Sequence, residues 1–598
     1  MVHKRVAATG AVRSQEPDRY RVIGVGGMAT ATGLADEMLD AMHAQHPLFA
    51  TLAGFRDRDD RLSDYSEAGE AATAARVGDI VARVEALDPA ELSVSDRLTC
   101  AVIGVLADAT LSQVAARSVE YTITPLFVAP AAQLLFGLPM IGIVEPAQAD
   151  GYLARLAGIP RMLTTLADRH RAGVAAGRRP VRRLVDAAAA HLDRYLANRD
   201  DNPLRRPQPP TDGSVDIAAF TTERDRLIDG VVRAAFAQYR TVLADEIAPH
   251  GRLDERTGLC WLPDGDGIYH RLIRAHTTVA RSPAQLHRTG LDHIERLGEQ
   301  YRSIGGRVFG PIDLPDLFQR LRTDPALRWR DGAQNLATAR TAIERAEQVA
   351  PQWFGRLPRQ RCTVQAVPAD EAPAAPAANY LAAALDGSRP AIYFANTHQA
   401  HERPRYTAEA LVYHETIPGH HIQVALAQEL TNLPLLRRLA PIDAFAEGWG
   451  LYAERLAEEM GLYTDDVARL GMLAGDSIRA ARLVVDTGIH AHGWTRRQVT
   501  DFLRTNTPTP LIDIEQETDR YIANPGQALA YMVGRLEIDR IRAAAQHRLG
   551  RQFDIRGFHD TVLRHGEIPL DALADLVDEW VAAQSRRTGN ATTDTGHG

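Results

Sequence analysis

The sequence is poor in cysteine. Its three cysteines, Cys100, Cys260 and Cys362, lie far apart among 598 residues and form no C-x-x-C pair. This usage is typical of the reduced, buried thiols of an intracellular protein. A chain of this length can bury a large core, so its stability requires neither disulfides nor a structural metal.

A long, uninterrupted apolar run is also missing. Residues 1–22 lack the apolar core of a signal peptide. The most apolar segment, residues 123–144, contains Pro125, Pro130 and Pro139. These prolines favour a buried loop and short helix over a membrane span. We therefore expect a cytoplasmic protein that has no membrane partner.

A strong net charge is absent as well. The formal charge is −8, with 45% hydrophobic and 24% charged residues, which are ordinary values for a soluble protein. A chain of this size with so small a charge has no electrostatic attraction for nucleic acid as its main partner.

Helical periodicity dominates the chain. Apolar residues recur at intervals of three and four, for example over residues 151–174. The best strand candidates are residues 361–369 and 389–397, and residues 372–388 between them read as a loop. We predict a mostly α fold, a large multi-helix protein with a small β-sheet near the active-site cleft. The predicted organisation is an N-terminal extension (1–34), a helical N-terminal region (35–200), an exposed connection (201–216), a helical catalytic region with the sheet (217–584) and a disordered tail (585–598).

The segment YHETIPGHHIQ, residues 413–423, carries the clearest chemical signal. His414 and Glu415 begin like the zinc-protease motif H-E-x-x-H, in which two histidines on one helical face share a zinc and the glutamate activates water. The position four residues after His414 is Pro418, however, and the next histidines are His420 and His421.

An interruption of the helix would reconcile this spacing with a metal site. On a straight helix, residue 420 points about 240° away from residue 414, and residue 421 lies roughly 10 Å further along the axis. The Pro418–Gly419 pair predicts a bulge or kink. A bulge that absorbs two residues would make His420 the second ligand, and one that absorbs three would select His421. The glycine directly before it favours His420, with His421 as the alternative.

The third ligand is expected in residues 443–461. Glu447 follows His420 by 27 residues, which suits a helix–turn–helix return, and Gly448 and Gly450 beside it would allow close helix approach. The competing carboxylates on this helix are Glu454, Glu458 and Glu459.

HETIPGHHIQ followed by AFAEGWGLYAE resembles the DUF885 family, bacterial proteins of largely unassigned function that are grouped with zinc metallopeptidases. Four further segments, residues 46–66, 479–499, 520–538 and 553–573, also resemble family blocks. The likeness covers about residues 35 to 580. It implies a mostly helical, zinc-peptidase-like fold and supplies no substrate.

The mechanism we expect is hydrolysis of an amide bond. Zn²⁺ on His414, His420 and Glu447 would keep one position open for water, and Glu415 would act as the general base. Tyr531, in the PGQALAY segment, leads the candidates for the oxyanion donor. The other candidates are Tyr521 and His490. Each of these side chains also has a plain structural interpretation, as a packed tyrosine or a core histidine bonded to backbone.

Substrate-binding candidates are less specific. Arg482, Arg520 and Arg535 are able to hold a substrate carboxylate, because arginine forms two parallel bonds to one, although each is individually more typical of a structural residue. The strand at residues 391–397 is a candidate to pair with an extended substrate, which would put Asn396 near the cleft.

Three functions compete. The leading hypothesis is a zinc-dependent hydrolase of short peptides, with its site in a deep channel between helical halves. The second is a zinc amidase acting on a small metabolite or biosynthetic intermediate, for which a narrow cleft is expected instead of an open groove. The third is a non-catalytic helical binding protein with a vestigial metal site, which Glu415 disfavours because metal binding alone needs no general base.

Overall fold

The computed structural model describes residues 30–369, 372–373, 375–384 and 389–593. Within them the chain is mostly helical with one small sheet, so the predicted fold class is confirmed. The predicted N-terminal extension lies outside the described residues up to residue 29, and the first helix within the described residues begins at Ala31.

Nine α-helices form the N-terminal part of the described chain. They are α1 Ala31–Gln45, α2 Pro47–Leu52, α3 Glu67–Glu85, α4 Val94–Ala115, α5 Pro130–Gly137, α6 Pro146–Ala175, α7 Arg182–Ala197, α8 Ile217–Leu227 and α9 Arg233–Thr241. The proline-interrupted segment 123–144 contains α5 between irregular stretches, as predicted. Helix α4 is long and apolar enough to cross a membrane by length and composition, and its buried side chains belong to the main hydrophobic core.

Four more helices precede the sheet, and ten follow it. The four are α10 Gly265–Thr277, α11 Pro283–Phe309, α12 Leu314–Thr323 and α13 Gly332–Val349. The ten are α14 Ala408–Glu415, α15 His420–Glu429, α16 Leu435–Leu439, α17 Asp443–Glu459, α18 Asp466–His490, α19 Arg496–Asn506, α20 Leu511–Ala523, α21 Ala530–Leu549, α22 Ile555–Leu563 and α23 Leu570–Thr593. The predicted disordered tail is therefore helical as far as Thr593, and residues 594–598 lie outside the described residues.

The sheet contains β1 Cys362–Ala366, β2 Ala378–Leu381 and β3 Ala391–Ala395, in the order β1-β3-β2. Strand β3 is parallel to β1 and antiparallel to β2. Both predicted strands are confirmed, but the predicted loop between them contains β2. Because β3 is the central strand and is paired on both edges, it cannot pair with a substrate backbone, and that expectation is wrong.

Two hydrophobic clusters account for most of the core. The larger one joins α1, α3 and α4 to the sheet and to most helices from α10 onward, whereas α19 and α20 belong to a smaller cluster. The second is formed mainly by α2 and α5–α9. The first helices of the chain therefore pack with the C-terminal half, so the core boundary does not fall near residue 200.

The connection at residues 201–216 is less exposed than predicted. Asn202 and Leu204 are buried, and the Tyr152 hydroxyl donates a hydrogen bond to the Leu204 carbonyl at 2.6 Å. This segment is therefore partly anchored in the second core.

Candidate metal centre

The helix that carries His414 ends before the second histidine. Helix α14 stops at Glu415, and α15 begins at His420 after a four-residue link that contains a cis Ile417–Pro418 peptide. A Cβ atom on Gly419 would lie 2.0 Å from the His414 carbonyl oxygen, so only glycine fits at that position. The predicted interruption is thus a break between two helices, which is more than a bulge within one.

The break brings three ligand atoms together. Glu447 Oε2 lies 3.4 Å from His414 Nε2 and 3.5 Å from His420 Nε2. The two imidazole rings are nearly perpendicular, with centroids 4.8 Å apart. All three side chains are buried, and their ligand atoms lie within 4.8 Å of one another.

These separations fit a tetrahedral ion. Zinc held at 2.0–2.1 Å by two histidines and a carboxylate separates neighbouring ligand atoms by about 3.3 Å. The two distances from Glu447 are close to that value. The donor set therefore suits zinc, and His₂Glu sites also accept other divalent ions.

The sequence EGWG, residues 447–450, positions Glu447 through its neighbours. The Nε1–H of Trp449 donates to the carbonyl of Pro418 at 3.0 Å, which ties α17 to the link between the two histidines. A Cβ atom on Gly450 would lie 2.7 Å from Cε1 of His414. The α17 backbone is therefore pressed directly against the ring of the first ligand.

Gly448 fixes the other side of α17. A Cβ atom there would lie 2.6 Å from Cα of Gly534 on α21, and one on Gly534 would lie 1.8 Å from the Ala444 carbonyl oxygen. The close helix approach predicted from the small residues of this motif is therefore present. It places α17 between α21 and the histidines.

Glu454 orients His414 without being a ligand. Its Oε1 lies 2.8 Å from Nδ1 of His414, and both side chains are buried. A carboxylate partner requires Nδ1 to carry the proton, so Nε2 is turned toward Glu447 as a lone-pair donor. Glu454 follows Glu447 by seven residues, two helical turns on the same face, and that spacing is the signal from which its role was predictable.

A longer chain of hydrogen bonds orients His420. Its Nδ1 lies 3.2 Å from Gln423 Oε1, and Gln423 Nε2 donates to Glu567 Oε1 at 2.7 Å. Because the amide NH₂ must face the Glu567 carboxylate, the amide oxygen faces His420, and Nδ1 of His420 is the donor. Glu567 in turn accepts from the backbone N–H of Ile442 at 2.8 Å, just before α17. Gln423 and Glu567 were not among the site residues predicted from the sequence.

His421 lies outside the cluster. Its Nδ1 is 3.1 Å from the hydroxyl of Tyr380 on β2, and its Nε2 is 2.9 Å from the Gln360 carbonyl oxygen. Burial lowers the pKa of His421 to about 4. Since both ring nitrogens contact the sheet region, the structure favours His420 as the second ligand and corrects the alternative.

Glu458 and Glu459, the other two competing carboxylates, are not in the cluster either. Glu458 pairs with Arg455 at 3.4 Å, and Glu459 pairs with Arg542 at 2.7 Å. Both are ordinary ion pairs of the outer face of α17.

Glu415, the last residue of α14, is buried near the sheet. It directly follows His414, and its charge acts on Tyr393 of β3 and Cys362 of β1. Burial first, and then this charge, raise the pKa of the Cys362 thiol to about 12. The small sheet is therefore adjacent to the candidate site, as predicted.

His490 and Tyr521 have structural roles. His490 Nδ1 accepts from the Leu259 N–H at 3.2 Å, its Nε2 donates to the Tyr521 carbonyl at 3.0 Å, and burial lowers its pKa to about 3. The Tyr521 hydroxyl donates to Glu517 at 2.5 Å and accepts from Arg482 at 3.0 Å. Neither group is available as an oxyanion donor, so both of these candidates were wrong.

Asn396 and Arg535 also have structural hydrogen-bond or ion-pair partners. Asn396 Nδ2 donates to the carbonyls of Ala372 and Ala375 at 2.8 and 2.9 Å, which shapes its own loop. Arg535 pairs with Asp476 at 3.1 Å and with Asp539 at 2.9 Å. Their proposed substrate-binding roles are therefore corrected to structural ones.

Tyr531, Arg482 and Arg520 remain near a cavity. A cavity of about 640 Å³ lies between the N-terminal helices and the C-terminal half, and its lining includes Tyr531 and Arg520. Arg482 lies over the Tyr531 ring, 4.6 Å from its centroid, and pairs with Glu517 at 2.9 Å. Arg520 pairs with the same glutamate.

The cavity reaches within one helical turn of two metal-ligand candidates. Val424 lies four residues after His420 on α15, Asp443 lies four residues before Glu447 on α17, and both line the cavity. Its opposite wall includes His46 and Phe49 from the start of the chain. Its volume suits a small ligand.

Two solved structures resemble this chain over nearly their whole length. One is described as the putative lipoprotein from Colwellia psychrerythraea, with a TM-score of 0.84 and 26% identity, covering 93% of this chain and 100% of that one. The other is a putative lipoprotein of unknown function from Shewanella oneidensis, with a TM-score of 0.73 and 18% identity, covering 92% and 99%. At its identity, the second shows the fold alone. No curated protein matches this chain.

These neighbours contradict the cytoplasmic location expected from the sequence. Both of those proteins are described as putative lipoproteins, a class that is exported and not cytoplasmic. The expectation depended on the lack of an apolar core in residues 1–22 and on the cysteine usage, and neither feature excludes export.

The resemblance noted in the sequence motifs extends over most of the chain. The family model described as "Bacterial protein of unknown function (DUF885)" matches residues 47–577. That range includes both histidine ligand candidates, Glu447 and Glu415, as well as all the helices that position them. The chain belongs to the DUF885 family.

Proposed function

We propose that this protein is a zinc-dependent hydrolase that cleaves amide bonds of short peptides. The observation that carries the proposal is the His414–His420–Glu447 cluster, whose spacing fits a tetrahedral ion and whose first member is followed directly by the buried Glu415. A site that only bound metal would have no use for a buried carboxylate at that position.

The residues divide the chemistry among them. Zinc, when bound by the three ligands, would polarise the substrate carbonyl and acidify a water. The Glu415 carboxylate accepts the proton of the attacking water and transfers it to the leaving amine. Glu454 and Gln423 hold the two imidazoles in one tautomer and orientation. Tyr531, in the cavity wall, is the remaining candidate to donate a hydrogen bond to the oxyanion.

The cavity supports a small substrate. At about 640 Å³ and bounded by helices from both ends of the chain, it suits a peptide of a few residues. The same volume also suits the second candidate function, an amidase acting on a small metabolite. By likeness to the described lipoproteins, we propose that the protein acts outside the cytoplasm, membrane-anchored or secreted.

Metal content tests the site first. Elemental analysis of the wild type is compared with His420→Ala, His421→Ala and Glu447→Ala. We expect about one zinc per chain, lost in the His420 and Glu447 variants and kept in the His421 variant, whose ring contacts Tyr380 and the Gln360 carbonyl. His421 is a matched control because it is the adjacent, equally buried histidine. A wild type that stays metal-free after zinc is added back would refute the proposal.

Hydrolysis is then measured with Glu415→Gln beside the wild type, on a panel of short peptides and of small non-peptide amides. The variant should keep its zinc and lose at least about 100-fold in rate, the usual contribution of a general base. A fully active Glu415→Gln would show that another residue is the base. Zinc binding without hydrolysis of any substrate would favour the non-catalytic binding protein.

A further inference from the structure

Arg479 on α18 differs from the arginines around it, because it forms no ion pair within the part of the chain that the structure describes. Its guanidinium donates one hydrogen bond there, from Nη1 to the Gly475 carbonyl at 3.3 Å. Its Nε is buried and has no hydrogen-bond partner among the described residues. Arg482, Arg520 and Arg535, by contrast, all pair with carboxylates.

Arg479 lies beside the metal centre. A Cβ atom on Gly475 would be 2.5 Å from Glu454 Oε2 and 3.4 Å from Arg479 Nη1, so both groups border the same point. Glu454 is the carboxylate that holds Nδ1 of His414. One side chain therefore separates the Arg479 guanidinium from a metal-ligand candidate.

Tyr531 connects Arg479 to a second free donor and to the cavity. The guanidinium carbons of Arg479 and Arg482 lie 5.9 and 4.6 Å from the centroid of the Tyr531 ring, which lines the cavity. Arg482 is only 8% exposed, and its Nη1 is buried without a hydrogen-bond partner among the described residues. Two unused N–H donors therefore border one aromatic ring in the cavity wall.

The charges near this ring do not balance. Arg479, Arg482 and Arg520 are accompanied by one carboxylate that pairs with them, that of Glu517. Among the described residues, these three guanidinium groups therefore outnumber the single carboxylate that forms ion pairs with them, and Glu454, which borders Arg479, is held by His414. Positive charge that is partly removed from water is costly unless an anion pairs with it. Arginine donors match a carboxylate, which accepts two parallel hydrogen bonds.

We propose that Arg479 and Arg482 bind the terminal carboxylate of the substrate, so that the protein acts on peptides from their C-terminal end. The inference rests on the proposed function for the reaction, whereas the binding step is measurable without it. Carboxylate binding was expected from the sequence for Arg535, which forms ion pairs elsewhere. Arg479 is the new candidate, although no sequence pattern distinguishes it from the neighbouring arginines.

Binding is measured by calorimetry on zinc-loaded protein that carries Glu415→Gln, so that the peptide stays intact. Each variant is titrated with an N-acetylated tripeptide as the free acid and as its C-terminal carboxamide. The free acid should bind about 10–100-fold more tightly, the usual value of a charge-assisted hydrogen bond to a buried donor. The additional change Arg479→Gln should abolish this ratio, and Arg479→Lys should retain part of it.

Arg497→Gln is the matched control. Arg497 is an exposed arginine on α19, so its loss changes the net charge equally and should leave the ratio intact. Thermal melting of each variant confirms that the fold is kept. Arg482→Lys serves as a second variant. Lysine keeps the positive charge, because removing the charge of this buried side chain risks misfolding.

Three results would overturn the proposal. The first is equal binding of the free acid and the carboxamide by the Glu415→Gln protein. The second is a preference for the free acid that survives Arg479→Gln, which would assign the carboxylate to the metal. Inorganic phosphate that displaces the free acid at lower concentration than the peptide itself would also refute a carboxylate site. Failure of hydrolysis alone would refute the proposed function and leave the binding ratio unchanged.

Discussion

Replacing Gly450 with alanine should weaken metal binding without touching a ligand. The added Cβ atom would lie 2.7 Å from Cε1, 2.8 Å from Nε2 and 3.1 Å from Nδ1 of His414. An ordinary contact of this kind is at least 3.4 Å, so the ring or α17 must move by about 0.7 Å. The ring cannot turn away freely, because Glu454 holds Nδ1 at 2.8 Å.

A displacement of this size acts on the distance between Nε2 and Glu447, which is now 3.4 Å. Changes that misorient a ligand without removing it typically cost 10–100-fold in metal affinity, which is about 1.4–2.7 kcal/mol. We therefore expect Gly450→Ala to raise the zinc Kd by that factor in a competition titration with a chromophoric chelator. The melting temperature in excess chelator should change little by comparison, because the gain in helix propensity offsets part of the clash.

Gly104→Ala is the matched control. Gly104 lies in the middle of α4, and a Cβ atom there would meet nothing within 4 Å. This variant should keep the wild-type zinc affinity and gain up to about 1 kcal/mol of stability. If Gly450→Ala binds zinc within twofold of the wild type, the α17 backbone does not position His414, and the reasoning is refuted.

Three further predictions concern other groups. Glu454→Gln should lower zinc affinity about 10–100-fold in the same titration while the far-ultraviolet circular dichroism stays unchanged, because only the partner of Nδ1 is weakened. Tyr531→Phe should lower kcat about 100-fold with little change in KM if its hydroxyl serves the oxyanion, whereas a packing role would leave both constants within a few-fold. Burial raises the pKa of Asp486 to about 7, so the folded state retains a proton that the unfolded chain releases near pH 4, and stability should fall by up to about 4 kcal/mol as the pH rises from 4 to 7. Asp486→Asn should flatten this slope in urea titrations; an unchanged slope would assign it to other groups.

The clustering of His414, His420 and Glu447 was predictable because the sequence signals are local. Pro418 and Gly419 predict an interruption of the helix after Glu415, and the glycines of EGWG predict close helix packing at Glu447. The choice between His420 and His421 needed the structure, since it depends on where α15 begins and on the contact of His421 with Tyr380. No periodicity encodes that contact across 41 residues.

Groups whose roles depend on long-range packing were assigned less well. His490 and Arg535 stand in motif-like segments, yet their partners are Leu259 and Asp476, which no sequence pattern connects to them. Strand β2 was not predicted because it has only four residues, Ala378–Leu381, and lies between alanine-rich segments. Because β2 was not predicted, the central position of β3 was not predicted either. For the same reason β3 was wrongly expected to pair with a substrate.

The position of the first helices bears on what the site accepts. Leu39 and Met42 of α1 line the cavity, and so do His46, which follows α1, and Phe49 of α2. Leu39 and Met42 pack against the first hydrophobic cluster and Phe49 against the second, so this wall belongs to the folded core and is not a separate lid. In the proposed function this wall would face the bound substrate. The guanidinium groups of Arg479 and Arg482, which lie against the Tyr531 ring, would meet its terminal carboxylate. We therefore propose a short peptide with a free C-terminus as the substrate of this cavity.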